Sequence, residues 1–200
     1  VMQWLRKFDV KDWHALLLLL DHVIYYSRKA TADALVTQNT ALLEELQRDG
    51  IAPANVIYVQ VHDAASSSPV MLDLLKRAGR LGRLERLKCH FVDSNASDFA
   101  KLTQKVKNGA IVYVDDFCST GKQFTAHYSR MRECILGRFS EFLLVPCIAE
   151  EAYGVIYRKL GLDIYTARIH SKAERPLHPH GAVLDEVLKD RLTELCTMIN

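Results

Sequence analysis

VYVDDFCSTGKQF, Val112 to Phe124, decides how the rest of the chain is read. Three β-prone residues run into Asp115 and Asp116, a small polar turn carries Gly121, and Lys122 opens what reads as a helix. Two adjacent carboxylates repel each other, so their place at the end of a hydrophobic strand needs an offsetting partner. A solvated turn with Ser119 as helix cap is one answer; a cation or a set of sugar hydroxyls is another. A strand end followed by small residues and a helix start presents unpaired backbone N–H groups, reinforced by the helix dipole, so Phe117 to Gly121 suits a phosphate. The hydroxyls of Ser119 and Thr120 are extra donors. The acids cannot bind that anion directly, but they accept from vicinal hydroxyls or reach a magnesium ion. Anion in the turn and diol at the acids together fit a ribose 5-phosphate.

Outward from this motif, strands and helices alternate. Leucines and aromatics from Asp12 to about Arg28 read as a buried helix, and a second helix is expected from Thr31, as N-cap, to Gly50. VIYVQV, Val56 to Val61, is the first strand, followed by the polar turn HDAASSSP and a helix opened by Pro69. Further strands are expected at Lys88 to Val92, Ala110 to Val114, Glu141 to Ala149 and Leu162 to Ile169. Helices are expected at Asp98 to Val106, Lys122 to Ile135, Glu151 to Leu160 and Ala182 to Met198. The alternation predicts an α/β fold, a mostly parallel sheet flanked by helices, with an N-terminal helical extension and a C-terminal helix. One domain is expected over residues 1–200: a helical segment 1–50, an α/β core 56–169, and a tail with its helix at 170–200. Ligands in such sheets bind at the carboxyl ends of strands, where the loops His62 to Pro69 and Asp115 to Gln123 lie.

The composition is that of an ordinary globular protein, 49% hydrophobic and 25% charged, with a formal net charge of +2. That balance neither announces a nucleic-acid surface nor excludes a phosphorylated ligand. The 5 cysteines are scattered and form no CxxC, so neither a disulfide framework nor a zinc knuckle is suggested, and a reduced, cytoplasmic chain is expected. The apolar run Ala15 to Leu20 is cut by Asp21 and His22 well below a bilayer span, so no membrane segment is expected. A sequence opening on Val1 is expected to be a piece of a longer polypeptide.

AIVYVDDFCSTGKQF resembles the signature of the type I phosphoribosyltransferase fold: hydrophobic strand, two acids, a short loop of small residues, then Thr-Gly. The resemblance implies binding of phosphoribosyl pyrophosphate (PRPP). It puts the ribose hydroxyls on Asp115 and Asp116, the catalytic pair, which also hold magnesium directly or through water. Around the 5-phosphate it puts Phe117, Cys118, Ser119, Thr120, Gly121 and Lys122. It also implies a pyrophosphate loop after the first sheet strand, here HDAASSS, with His62, Asp63, Ala64, Ala65 and Ser66. Some purine-using members carry an acidic general base where this chain has Ser119, and a small hydroxyl residue is common in the family where it has Gln123. The chemistry implied is pentosyl transfer, or hydrolysis of a phosphoribosyl nucleotide.

More loosely, WLRKFDVKDWHALLLLLDHVIYYS ahead of VIYVQV and the two-acid loop is similar to PRTase-CE proteins, the phosphoribosyltransferase-like conflict effectors of bacterial antiphage systems, retron systems among them. That likeness implies an effector or sensor taking PRPP or a nucleotide, with defence-system proteins or a nucleoprotein as partners, and leaves room for a homo-oligomer. The alternative from another class is a catalytically silent module that assembles with a larger complex.

Other motifs weigh less. STGKQF lacks the first glycine and the Ser or Thr after lysine that a Walker A loop requires, since Asp116 and Gln123 stand there. Cys118 lies near a helix start, which lowers a thiol pKa, but no partner histidine is placed by the sequence and a small filler is the expected role. His170, His178, His180 and Cys196 are the best metal candidates, but HxH without a second close pair makes zinc unexpected. Arg77, Arg80, Arg83 and Arg86 recur every third residue; a solvated face is the plain reading, with a pyrophosphate clamp or nucleic-acid contact as alternatives.

Overall fold

The computed structural model describes residues 1–61, 68–78, 88–92, 96–106 and 108–199. The expected pyrophosphate loop and the arginines Arg80, Arg83 and Arg86 lie outside these residues. The chain forms two compact units, one from residues 26–169 and one from residues 1–25 and 170–200.

The smaller unit begins with helices α1 (Met2–Leu5) and α2 (Trp13–Asp21). Leu5, Ala15 and Leu16 bury against Leu184, Leu192 and Leu195 from the other end of the chain. Arg191 donates two hydrogen bonds to the buried carboxylate of Asp12, at 2.6 and 3.1 Å. The helix expected from Asp12 to Arg28 is shorter, because α2 stops at Asp21 and the residues after it are exposed up to Tyr25.

The larger unit runs in the order α3 (Arg28–Arg48), β1 (Val56–Gln60), α4 (Ser68–Ala78), β2 (His90–Val92), α5 (Ala96–Val106), β3 (Asn108–Val114), β4 (Phe117–Cys118), α6 (Lys122–Arg132), β5 (Arg138–Ala149), α7 (Glu150–Val155) and β6 (Asp163–His170). A last helix, α8 (Glu186–Ile199), returns to the smaller unit. Helix α3 starts earlier than Thr31: Ser27 is its cap, its Oγ accepting from the Ala30 N–H at 3.1 Å. Rather than standing with an N-terminal segment, α3 packs on the sheet through Ala32, Leu35, Leu42 and Leu46.

The strands follow in the order β2, β1, β3, β5, with β4 and β6 also pairing β5. The pairs β1·β2, β1·β3, β3·β5 and β4·β5 are all parallel. Alternate strand residues serve two cores, which is why the strands read as unbroken apolar runs. Val56, Tyr58, Val112, Val114 and Leu144 face α3 and α4. Ile57, Val59, Ile111, Tyr113 and Leu143 face Phe99 of α5, Phe124 and Met131 of α6, and Ala152 of α7. The fold is therefore the three-layer α/β arrangement expected from the alternation.

Polar side chains tie neighbouring elements at three points. Tyr58 donates to Asn39 Oδ1 at 2.7 Å, both groups being buried. Thr103 Oγ1, on α5, donates to the Cys134 carbonyl at 3.1 Å and accepts from the Leu136 N–H at 3.3 Å, fixing α5 to the loop after α6. Glu141 of β5 accepts from Tyr113 at 3.1 Å and forms an ion pair with Arg132 at the end of α6. Gly109 is required by close approach: a Cβ there would lie 2.0 Å from the Asn55 carbonyl oxygen. Among the described residues no helix is long and apolar enough to cross a membrane.

Candidate functional site

Asp115 and Asp116 stand at a break in a single ladder. Val114 pairs with Leu144, and after a gap of two residues Phe117 and Cys118 pair with Cys147 and Ile148 in the same register. Strand β5 has only two edges and three partners; β3 and β4, sharing one register, share one edge, and β6 takes the other. Strand β5 is longer than β3, 12 residues against 7, so it extends past the end of β3 and offers backbone to the turn. The Asp115 N–H still reaches the Leu144 carbonyl at 3.2 Å. The segment expected as a free turn is thus partly strand.

The two acids sit differently. Asp115 is 1% exposed, whereas Asp116 is half-buried. Asp115 Oδ1 accepts from the Asp116 N–H at 3.0 Å and Oδ2 from the Cys118 thiol at 3.4 Å. Asp116 Oδ1 accepts from the Phe117 N–H at 2.8 Å. Part of the repulsion between the acids is therefore offset by donors from the turn itself.

The Cys118 thiol pKa is raised, first by burial and then by the negative charges of Asp115 and Asp116, rather than lowered by the nearby helix. Cys147, beside Phe117 in the ladder, is also pushed up by burial and by Asp116, against the opposing influence of a Tyr26 hydrogen bond and the Arg168 charge. These neighbours come from elements far apart in the chain, and no local motif announces them.

Ser119, Thr120 and Lys122 are exposed, and Gly121 is buried. Gly121 has φ 74, a left-handed conformation, and caps α6 without a side-chain bond. Its carbonyl accepts from both the N–H and the hydroxyl of Thr125, at 2.9 and 2.8 Å. The Lys122 N–H reaches Thr120 Oγ1 at 3.4 Å. Helix α6 has no acid in its first turn, which leaves its positive pole uncompensated, and it ends on Arg130 and Arg132, whose charges complement the negative pole. Phe124 and Tyr128 seat the helix on Tyr113, with ring centroids 5.8 and 5.5 Å away. A Cβ on Gly121 would lie 3.5 Å from Ala152 Cα, so α7 backs the turn, and Glu150 and Glu151 open that helix.

Of the predicted site residues, the structure thus brings Asp115 to Lys122 together at the carboxyl end of the central strand. His62, Asp63, Ala64, Ala65 and Ser66 lie outside the described residues. His170, a candidate metal ligand, pairs with Glu174 at 2.8 Å, and the His178 and His180 rings are 5.5 Å apart. Among the described residues no group of three or more His, Cys, Asp or Glu is placed to hold a metal ion.

A parallel α/β sheet with this turn at its carboxyl end defines a phosphoribosyltransferase-like protein. The chain belongs to the PRTase-CE family, whose model matches residues 1–200. Among solved structures it is similar to orotate phosphoribosyltransferase from Aeropyrum pernix, with 18% identity, 64% of this chain and 67% of that chain covered, and a TM-score of 0.37. No curated protein matches it.

Proposed function

We propose that the turn binds the ribose 5-phosphate part of PRPP or of a nucleotide. The observation that carries this reading is the acid-free start of α6, capped by a left-handed glycine and set directly after two carboxylates at a buried strand end. The phosphate lies against Phe117 to Lys122, with Ser119 and Thr120 hydroxyls as donors. The ribose hydroxyls lie on Asp115 and Asp116, and Asp116 is the one within reach of solvent. Oxygen donors of this kind fit magnesium, which takes one or two carboxylates and completes its shell from ligand phosphates and water. When bound, the ion neutralises pyrophosphate charge.

Turnover at such a site breaks the bond between ribose C1 and a pyrophosphate oxygen, or between C1 and a base nitrogen. An acceptor nitrogen or a water oxygen makes the new bond at C1, and the electron pair leaves with the departing group. Holding the non-reacting 5-phosphate helps by fixing C1 relative to its attacker. Membership of the PRTase-CE family supports a role as a bacterial antiphage effector or sensor, acting with defence-system partners.

Calorimetric titration of PRPP, ribose 5-phosphate and a nucleoside monophosphate, with magnesium, tests the site. Binding by the wild type that is lost in Asp116→Asn supports it. No heat with any ligand removes it and leaves the silent interaction module.

A further inference from the structure

Away from the Asp115 turn, the β2 edge of the sheet gathers positive charge. The interval 76–107 holds nine Lys and Arg against three Asp and Glu, a surplus of six in a chain whose net charge is +2, so the remainder is acidic on balance. Folding brings Lys76, Lys101 and Lys105 against β2, whereas Arg77 pairs with Asp73 along α4 at 2.8 Å. Strand β2 pairs with β1 alone among the described strands, and its His90 and Phe91 line a cavity of about 500 Å³ together with Lys101 and Lys105 of α5. Four residues apart, those lysines share a helix face, roughly 6 Å from each other along the axis.

The charge continues beyond the cavity. Lys76, near the end of α4, holds its Nζ 4.9 Å from the centre of the Phe91 ring. Lys88, exposed and two residues ahead of His90, is the one described residue other than glycine with a positive φ, at 58. The acid in the cavity lining is Asp98, which pairs with Lys101 at 3.1 Å across an exposed surface, an arrangement that water largely screens. Lys88 and Lys105 have no acidic partner among the described residues.

We propose that this edge is a nucleic-acid-binding surface that holds the phosphate backbone. A small phosphate needs donors converging on one point, whereas these cations are strung from α4 across β2 to α5. A polyanion with a charge at about every 3.4 Å of strand matches a row better than a point. Concentrated basic charge in an otherwise acidic chain is the electrostatic footprint of such a partner. The surface is separate from the Asp115 turn, since β2 and β3 lie on opposite sides of β1.

Fluorescence anisotropy of the whole chain with a labelled single-stranded oligonucleotide and its duplex, from about 50 to about 200 mM salt, reads this directly. The expected result is affinity that falls steeply with salt. Lys101→Glu with Lys105→Glu then weakens binding by tenfold or more and flattens the log–log salt slope by about 1 to 2. Both side chains are exposed, and Lys101→Gln with Lys105→Gln serves as a milder pair giving the same direction. Asp116→Asn leaves oligonucleotide binding intact, and the lysine variants leave PRPP binding intact, which separates this surface from the ribose 5-phosphate site. No salt-dependent binding, binding unchanged by charge reversal, or retention on phosphatidylserine vesicles without any on the oligonucleotides overturns the proposal.

Discussion

Cys118 Sγ, in β4, donates a hydrogen bond across 3.4 Å to Oδ2 of Asp115, in the break that separates β3 from β4. This contact ties a thiol to a carboxylate three residues away, both of them buried. Burial and the neighbouring acids raise the Cys118 thiol, so its thiolate forms only well to the alkaline side of the ordinary cysteine range. Near neutral pH, alkylation followed by peptide mass mapping should label exposed Cys196 while sparing Cys118. Cys118→Ala removes a donor from a buried carboxylate and should cost about 1–3 kcal/mol in denaturant unfolding, with Cys118→Ser closer to wild type.

The Tyr58–Asn39 hydrogen bond offers a second test. Tyr58→Phe keeps the ring stacked on Phe91, whose centroid is 5.0 Å away, but leaves the Asn39 side chain short of a donor between α3 and the sheet. A loss of about 1–3 kcal/mol is expected, and Asn39→Ala combined with Tyr58→Phe should cost less than the sum of the two changes. A double-mutant cycle by urea denaturation checks this.

Two glycines should respond for different reasons. At Gly109 an added methyl meets the Asn55 carbonyl, so Gly109→Ala should lower stability by about 1–3 kcal/mol through overpacking. At Gly121 the space is adequate but φ 74 is not, so Gly121→Ala should cost roughly 1–2 kcal/mol and weaken ligand binding by displacing the first turn of α6. Thermal melts with and without PRPP distinguish the two, because only Gly121 lies in the turn proposed to bind ribose 5-phosphate.

Asp12 and Arg191 give the smaller unit a dependence on acid. The Arg191 hydrogen bonds hold the Asp12 carboxyl below its ordinary value near 3.8, outweighing the upward push of burial. A depressed carboxylate contributes stability that is complete above that value and disappears as pH falls through the folded pKa. Protection of amides in α2 and α8, taken relative to their intrinsic exchange rate at each pH, should therefore fall in acid. In Arg191→Leu the buried acid loses its partner, protection is already lower at neutral pH, and acid should raise it by neutralising Asp12.

Much of the fold was legible because strands buried on both faces leave long apolar runs, as in β1, β3 and β5. The Asp115 to Lys122 motif was legible because its residue types sit next to one another in the chain. Other features depended on distance. Strand β4 exists because β5 outruns β3, a length difference between segments that no local window compares. Ser27 was passed over for Thr31 because both are hydroxyl residues ahead of a helical pattern, and only the position of the first turn separates them. The rise of the Cys118 thiol is not legible because the helix dipole shows in sequence order while burial against Asp115 does not. The end of α2 at Asp21 was missed because neither glycine nor proline marks it.

The smaller unit joins residues 1–25 to residues 170–200, with the whole sheet-bearing unit encoded between them. On the ribosome, α2 emerges long before α8 exists. At about 5–20 residues per second, on the order of 10–30 s separate the two. The sheet-bearing unit has all its strands in that interval and can fold, while Ala15 and Leu16 await Leu184, Leu192 and Leu195. Completion of α8 is thus a timer: a nascent chain shows Ala15 and Leu16 to chaperones until Leu184, Leu192 and Leu195 are made.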